Sequence, residues 1–208
     1  MDLRRPFRHV DAIACGALTR HHLVDGSCLP LFPGVSVDGS TPATMAIRAA
    51  GAVLARPRGV VAGSAAAATW DVDTAPSDTT VDLLVDAGGV RSCPGIRLRR
   101  AGLREGEVTV VDGVRVTTPA RTALDLARWL PTDGAVVVLD ALFRGTSLDV
   151  ESARALADSH GGERDVGHAE RALAWADPRS PSPGASRLRV GLLARGMAVP
   201  LVAQRLLD

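Results

Sequence analysis

Residues 108–127, VTVVDGVRVTTPARTALDLA, set out a strand, a turn, a second strand and a helix with no spare residue between them. VTVV and VRVTT are β-branched runs on either side of Asp112-Gly113. An Asp-Gly pair in that setting predicts a two-residue hairpin turn, because both positions tolerate φ > 0. Thr118 then stands one residue before Pro119, the arrangement of a capping hydroxyl followed by a first helical residue that needs no N–H. Ala120, Ala123, Leu124, Ala127 and Leu130 fall on one face of the helix that follows. The polar residues of the stretch read as structure: Asp112 turns the chain, Thr118 caps, and Arg121 pairs with Asp125 one helical turn on, worth roughly 0.2–0.5 kcal/mol on an exposed face.

Working outward, the N-terminal side predicts shorter elements. RHVDAIACGALTRHHLV (8–24) suggests two short helices broken near Gly16, the second capped by Thr19 with Leu23 facing inward. SCLPLFPGVSV (27–37) reads as a ribbon turning at Pro33-Gly34. Helix, turn, helix and ribbon in that order is the outline of a small winged-helix module. A helix is predicted over 40–57, capped by Ser40 or Thr41 with Pro42 in its first turn, and another over 63–70 capped by Ser64. Strands are predicted over 79–87 and 95–101.

The C-terminal side is read as mostly helical, with helices over 132–145, 149–161 and 165–177. A Pro/Ser/Gly-rich linker spans 177–184, and a last helix over 185–197 closes at Gly196. VPLVAQRLLD, the final residues, begin a strand-like run. The fold class expected is therefore α+β: an N-terminal winged-helix-like module, a mixed strand and helix domain, and a helical C-terminal segment.

Composition bounds the rest. With 46% hydrophobic residues the chain has the apolar content of a folded core, but aromatics are 3%, so that core must be built of Ala, Val and Leu. The 24 basic and 23 acidic residues give a net charge of +1, which excludes a uniformly basic coat but not a local basic patch. Every one of those basic residues is Arg. Cys15, Cys28 and Cys93 form no CxxC pair and are read as small buried residues. No apolar run reaches the length of a membrane span, and no signal peptide is recognised, so a cytoplasmic protein without membrane contact is expected.

Candidate sites are few. Arg20, His21 and His22 lie on the second predicted helix, where a winged helix meets the major groove, with Arg4, Arg5 and Arg8 upstream as a basic arm. An ordinary solvated helix face explains the same residues. RPRG (56–59) and RLRRAGLR (97–104) are the densest basic clusters, read first as solvated surface. His160 and His168 have no second ligand at metal spacing, so no metal and no cofactor is expected. Ser64 and Ser186 lack a nucleophile-elbow setting, and the carboxylates Asp140, Asp149, Glu151 and Glu170 are scattered. No nucleophile, base and orienting group come together, and the expectation is a protein that is not an enzyme.

VTVVDGVRVTTPARTALDLARWLP resembles the signature segment of an actinobacterial family related to the AbiEi-type antitoxins of type IV toxin–antitoxin systems. ALTRHHL with LFPGVSV resembles that family's N-terminal winged helix and wing, and GVVAGSAAAATWDVD its next helix pair. The resemblance implies DNA binding at its own promoter through Arg20, His21, His22 and Arg8, and an antitoxin role toward a nucleotidyltransferase-like toxin. It divides the chain into a degenerate winged-helix-like module (1–39), an AbiEi-like α+β domain (40–177), and a linker with the start of a further domain (178–208). SPSPGASRLRVGLLARGMAVPLVAQRLLD resembles the entry to a very-short-patch-repair-like endonuclease domain of the PD-(D/E)XK class, with Ala185 where relatives carry Glu. The alternative this implies is a truncated or decayed nuclease-family protein whose catalytic domain is missing. Oligomeric state stays open.

Overall fold

The computed structural model describes residues 1–72, 75, 79–85 and 93–198. It is an α+β fold made of two units, one formed by residues 1–69 and 73–117, the other by residues 70–72 and 118–208.

The first unit opens with β1 (Phe7–Arg8), α1 (His9–Ala14) and a single 3-10 turn at His21–Leu23. β2 (Cys28–Phe32) and β3 (Val35–Asp38) follow as a hairpin around Pro33 and Gly34, and Gly34 takes φ +77° as that turn requires. The three strands form an antiparallel sheet in the order β1-β3-β2, with a register shift between Pro30 and Phe32. Phe7, Ala12 and Cys28 make a small core with Leu3, Leu18 and Leu23 packed on it, so Leu23 faces inward as its position predicts. The second helix expected over the 19–24 region is absent as an α-helix. Six residues separate Ala14 from the 3-10 turn, Gly16 among them at φ +72°, and the three-residue turn ends before an α-helical bond pattern can propagate.

α2 (Met45–Ala55) starts later than expected. Thr44, not Ser40 or Thr41, is its cap, accepting from the Ile47 N–H at 3.3 Å, while Ser40 is bonded to the Asp38 carboxylate in the preceding turn. β4 (Val60–Ala62) leads directly into α3 (Gly63–Thr69), so Ser64 lies inside that helix. β5 (Val81–Val85), β6 (Ile96–Arg100), β7 (Val108–Val111) and β8 (Val114–Thr117) complete a five-stranded mixed sheet in the order β6-β5-β4-β8-β7. β5 and β6 run parallel, β4 and β8 run parallel, and the two outer hairpin partners β7 and β8 are antiparallel. Asp112 and Gly113 turn that hairpin at φ +49° and +82°, the two positive values the Asp-Gly pair predicts. α2 packs on both sheets of this unit, and α3 packs on the larger one.

The chain enters the second unit at Thr118, whose side chain accepts from the Arg121 N–H and caps α4 (Pro119–Trp129). α5 (Thr132–Gly145), α6 (Val150–Ser159), α7 (Val166–Trp175) and α8 (Pro183–Leu193) follow. Asp149 caps α6 through the Ser152 N–H and Ser182 caps α8 through the Ala185 N–H. α4 packs against α5, α6 and α7, and α8 packs against α5. The core is Ala, Val and Leu: Ala123, Leu124, Ala127, Ala135, Val136, Leu139, Leu142, Ala172 and Leu173 are all fully enclosed.

Two expectations about single residues are overturned. Arg121 and Asp125 do pair, at 3.0 Å, but each side chain is 1% exposed. The helix that carries them is covered on three sides by α5, α6 and α7, so the pair is a buried one, beyond the scale of a solvated surface pair. Cys28 and Cys93 are buried, whereas Cys15 is exposed at the end of α1. The strand-like run beginning at Val199 lies outside the described residues, as do Asp86 and Ala87 at the end of the 79–87 strand. No helix among the described residues is long and apolar enough to cross a membrane.

Candidate nucleic-acid interface

The residues proposed to face DNA sit on the N-terminal part of the first unit. Arg8 ends β1, caps the start of α1 with backbone alone, and is exposed. Its strand partner is Val35, and the next residue is anchored twice: the His9 N–H donates to the Gly34 carbonyl at 3.0 Å, and His9 Nε2 meets the Ser36 hydroxyl at 2.8 Å. Arg8 is thus an exposed guanidinium on a backbone fixed by its neighbours.

Arg20 and His21 are exposed on the 3-10 turn. His21 has 79% of its side chain in solvent, with its Nε2 3.8 Å from the Asp25 carboxylate. Hydrogen bonds from the Ser27 side chain and N–H hold Asp25 below the usual carboxylate range, so it stays charged beside His21. His22 does not project with them. Its Nδ1 accepts from the Thr19 N–H at 3.1 Å and lies 3.2 Å from the Thr19 hydroxyl. Thr19 was expected to cap a helix with its oxygen. Instead the turn is closed by the histidine ring, and the His22 ring faces back into the loop.

The outward face around these residues also carries exposed apolar side chains. Val10, at 65% exposure, and Ile13 look out from α1, and Val24, at 80%, follows the 3-10 turn. Arg4 and Arg5 upstream are exposed, the Arg4 N–H being tied to Asp2. The structure therefore joins Arg20 and His21 on one turn, sets Arg8 on a neighbouring strand of the same small fold, and withdraws His22.

The remaining candidates divide by burial. RLRRAGLR begins on β6, an edge strand, with Arg97 and Arg100 exposed. His160 is fully buried and its Nδ1 meets Glu163 at 2.7 Å, while His168 Nε2 meets the Leu130 carbonyl at 2.9 Å, so both histidines hold helices in place. Asp140 is a fully buried carboxylate of the second unit. It accepts from the Asp177 N–H at 2.7 Å, from the Ser186 hydroxyl, and from Arg189 Nη2 at 2.5 Å. Arg189 also donates to the Trp175 carbonyl, and Ser186 touches the Ser180 hydroxyl. Ser186 is 1% exposed and donates to a carboxylate, which is not the setting of a nucleophile. Sequence reading treated Asp140 as one of several scattered carboxylates. Its only signal is an Asp inside the apolar run AVVVLDALF, which must bring its partners with it.

A family model described as the AbiEi antitoxin C-terminal domain matches residues 63–174, more than half of the chain. The chain belongs to this AbiEi antitoxin family. The match runs from the first residue of α3 to near the end of α7, so it takes in most of the five-stranded sheet and the helices α4 to α7. Two relatives from strains of Mycobacterium tuberculosis, both carrying the name uncharacterized protein, are 32% identical over 141 residues. That alignment covers 65% of this chain and 49% of each relative, so the chain spans about half the length of the curated relatives it matches. Arg8, Arg20, His21 and His22 lie outside the segment matched to the AbiEi domain, while the Asp-Gly hairpin and α4 lie in its middle.

Proposed function

We propose that this chain is a non-catalytic, DNA-binding regulator with antitoxin function in a type IV toxin–antitoxin system, cytoplasmic and acting at its own promoter. The observation that carries the reading is the AbiEi antitoxin domain over 63–174, preceded in the same chain by a small helix-and-hairpin fold that exposes Arg8, Arg20 and His21. The division into a reduced winged-helix module over 1–39 and an AbiEi-like domain over 40–177 belongs to this proposal. Three cationic side chains neutralise few phosphates, so binding through them is weak and falls steeply with salt. His22, turned into the loop, contributes by shaping the turn that presents Arg20 and His21.

The test is a gel-shift titration against DNA from upstream of the chain's own reading frame, at low and at moderate salt. A shift at low salt that weakens at moderate salt and is lost in an Arg20→Ala/His21→Ala variant supports the proposal. A shift indifferent to that double substitution removes the N-terminal site. Toxin neutralisation is tested separately, by co-purifying the chain with the product of a neighbouring nucleotidyltransferase-like gene.

A second reading is favoured by the relatives, which are about twice as long as the aligned segment. In it, the chain derives from an actinobacterial form fused to a very-short-patch-repair-like endonuclease domain, with 178–208 as the approach to that domain. It predicts clustered Asp and Glu-x-Asp carboxylates in the reading frame downstream of Asp208. A downstream frame without them disposes of it.

A further inference from the structure

A sheet edge offers a row of N–H and C=O groups that another strand can pair, and proteins blunt such edges with charge, proline, bulges or brevity. Of the four edges of the two sheets, three are blunted by their residues or by extreme shortness. β6 carries Arg97, Arg99 and Arg100. β2 carries Pro30 with a register shift beside it, and β1 has two residues. β7, the remaining edge, reads VTVV. It has no charge, no proline and no irregularity in its pairing with β8, and Val110 is 61% exposed.

The hairpin decides which groups β7 turns outward. Asp112 and Gly113 make a two-residue turn, so Val111 and Val114 are the closing pair, which exchanges both backbone hydrogen bonds. Bonded and non-bonded pairs then alternate along the ladder, in which Thr109 meets Val116, Val110 meets Arg115 and Val108 meets Thr117. Val111 and Thr109 therefore direct their N–H and C=O at β8, while Val110 and Val108 present theirs to the open edge. The side chains of Val108 and Val110 share one face of the strand, and those of Thr109 and Val111 the other.

This edge fits a copy of itself. An antiparallel strand related by a two-fold axis through Thr109 sets Val108 opposite Val110 of the second copy, and Val110 opposite Val108 of that copy. Each of these pairs exchanges two hydrogen bonds, which leaves no outward group of Val108 or Val110 unmatched. The same register gathers the valines of both copies on one face, at the roughly 4.5–5.5 Å Cβ separation of directly opposed residues, and covers Val110. No charged residue stands on either strand, so nothing repels across the axis. A strand of unrelated sequence could form the same backbone bonds, but nothing on this edge selects one. A copy is selected by the match of its own valines and its own bonding pattern.

We propose that two copies of this chain pair edge to edge through β7, joining their five-stranded sheets antiparallel across a two-fold axis at Thr109. The pairing is weak. Four residues a side bury far less than the roughly 1,200–2,000 Å² of a stable interface, so dimers form at high chain concentration and part on dilution. The inference is independent of the DNA-binding reading and adds to it only that a dimer carries Arg8, Arg20 and His21 twice.

Sedimentation equilibrium of the 208-residue chain over a concentration series, without DNA, tests it. The parent chain is expected to pass from monomer to dimer and no further, because the pairing closes the edge. Val110→Pro removes an outward N–H and leaves the β8 ladder intact, since an edge strand tolerates proline where the N–H faces solvent. Val108→Lys/Val110→Lys and Val108→Glu/Val110→Glu set like charges opposite one another. All three variants are expected to weaken self-association at least about tenfold with circular dichroism unchanged. An equimolar mixture of the lysine and glutamate chains is expected to dimerise again, with Lys meeting Glu at each outward position. In a Cys15→Ser background, Thr109→Cys is expected to give a disulfide-linked dimer with oxidised glutathione, because position 109 faces itself as a non-hydrogen-bonded pair with Cα atoms about 4.5 Å apart. Val111→Cys in the same background is expected to stay unlinked. A parent chain that is monomeric at every concentration overturns the proposal. So does a dimer that the three β7 variants leave as strong as before, since self-association then lies on another surface. Failure of the lysine and glutamate chains to restore the dimer, or linkage through Val111→Cys in place of Thr109→Cys, overturns the two-fold axis at Thr109.

Discussion

The two units differ in how deeply they enclose arginine: two arginines of the second unit are buried, and none is buried among the described residues of the first. In the first unit Arg8, Arg20, Arg58, Arg97 and Arg100 are exposed on strands and turns. In the second, Arg121 and Arg189 are 1% and 6% exposed and are paired with Asp125 and Asp140, which are equally enclosed. A guanidinium in water costs little to hold and contributes little to stability. The same group under α5, α6 and α7 has lost its hydration, and it must have a carboxylate within reach. The difference assigns stability to the two enclosed pairs of the second unit, a role its exposed Arg164 and Arg179, at 91% and 74%, do not share.

The largest expected effect comes from breaking the Asp140 cluster. Asp140→Ala leaves Arg189 buried without its carboxylate and removes the acceptor of the Asp177 N–H. A loss of about 3–5 kcal/mol is expected in urea unfolding, with α8 released first. A loss below about 1 kcal/mol would show that α8 is held by other contacts. Arg121→Ala is next. It uncovers Asp125 inside α4 and should cost roughly 3 kcal/mol, far more than the tenths of a kcal/mol that the same i,i+4 pair contributes on an exposed helix.

A smaller effect separates partly exposed from buried charge. Burial pushes the Glu163 carboxyl up, but hydrogen bonds and charge from His160 and Arg128 outweigh it and hold the group below its ordinary value of 4.5. A carboxylate lowered in the folded state stabilises it fully above that ordinary value and loses the contribution as pH falls through the lower folded value. The acid unfolding midpoint of an Arg128→Ala variant should therefore lie at higher pH than that of the parent, read by tryptophan fluorescence across pH 2 to 6. An unchanged midpoint would mean that Arg128 adds nothing to the Glu163 pairing. The smallest effect is expected at the exposed end of the comparison: Arg100→Gln should move stability by no more than about 0.5 kcal/mol, and a larger change would mean that Arg100 is part of the fold.

Local chemistry made the 108–127 stretch readable in advance. Its Asp-Gly turn, the Thr118 cap and the Pro119 start are all decided by neighbours two or three residues away, and all three appear as expected. The helices of the second unit were readable for the same reason, since each has a clear breaker on either side. The N-terminal module was harder. Its expected second helix needed more than a capping residue, and the three residues His21–Leu23 are too few to sustain helical hydrogen bonding. Ser40 or Thr41 was expected to cap α2 and Thr44 does so instead, because a short hydroxyl marks a helix start without fixing which residue takes the cap. Of the candidate interface, Arg8, Arg20 and His21 could be named as exposed cations, but His22 could not be seen to fold back on Thr19.

By itself the sequence determined the α+β class, the hairpin and most of the helix boundaries, because periodicity, turn residues and caps act over a few bonds. It also determined a core of Ala, Val and Leu, since it supplies almost nothing else apolar. Tertiary structure alone decided which arginines are buried and which carboxylates they meet. Asp140 finds Arg189 across 49 positions, and Val60 reaches Arg99 through Leu84 on an intervening strand. Desolvation and charge pairing depend on what lies within a few ångströms in space, and one-dimensional spacing along the chain does not carry that information beyond a single helical turn or hairpin.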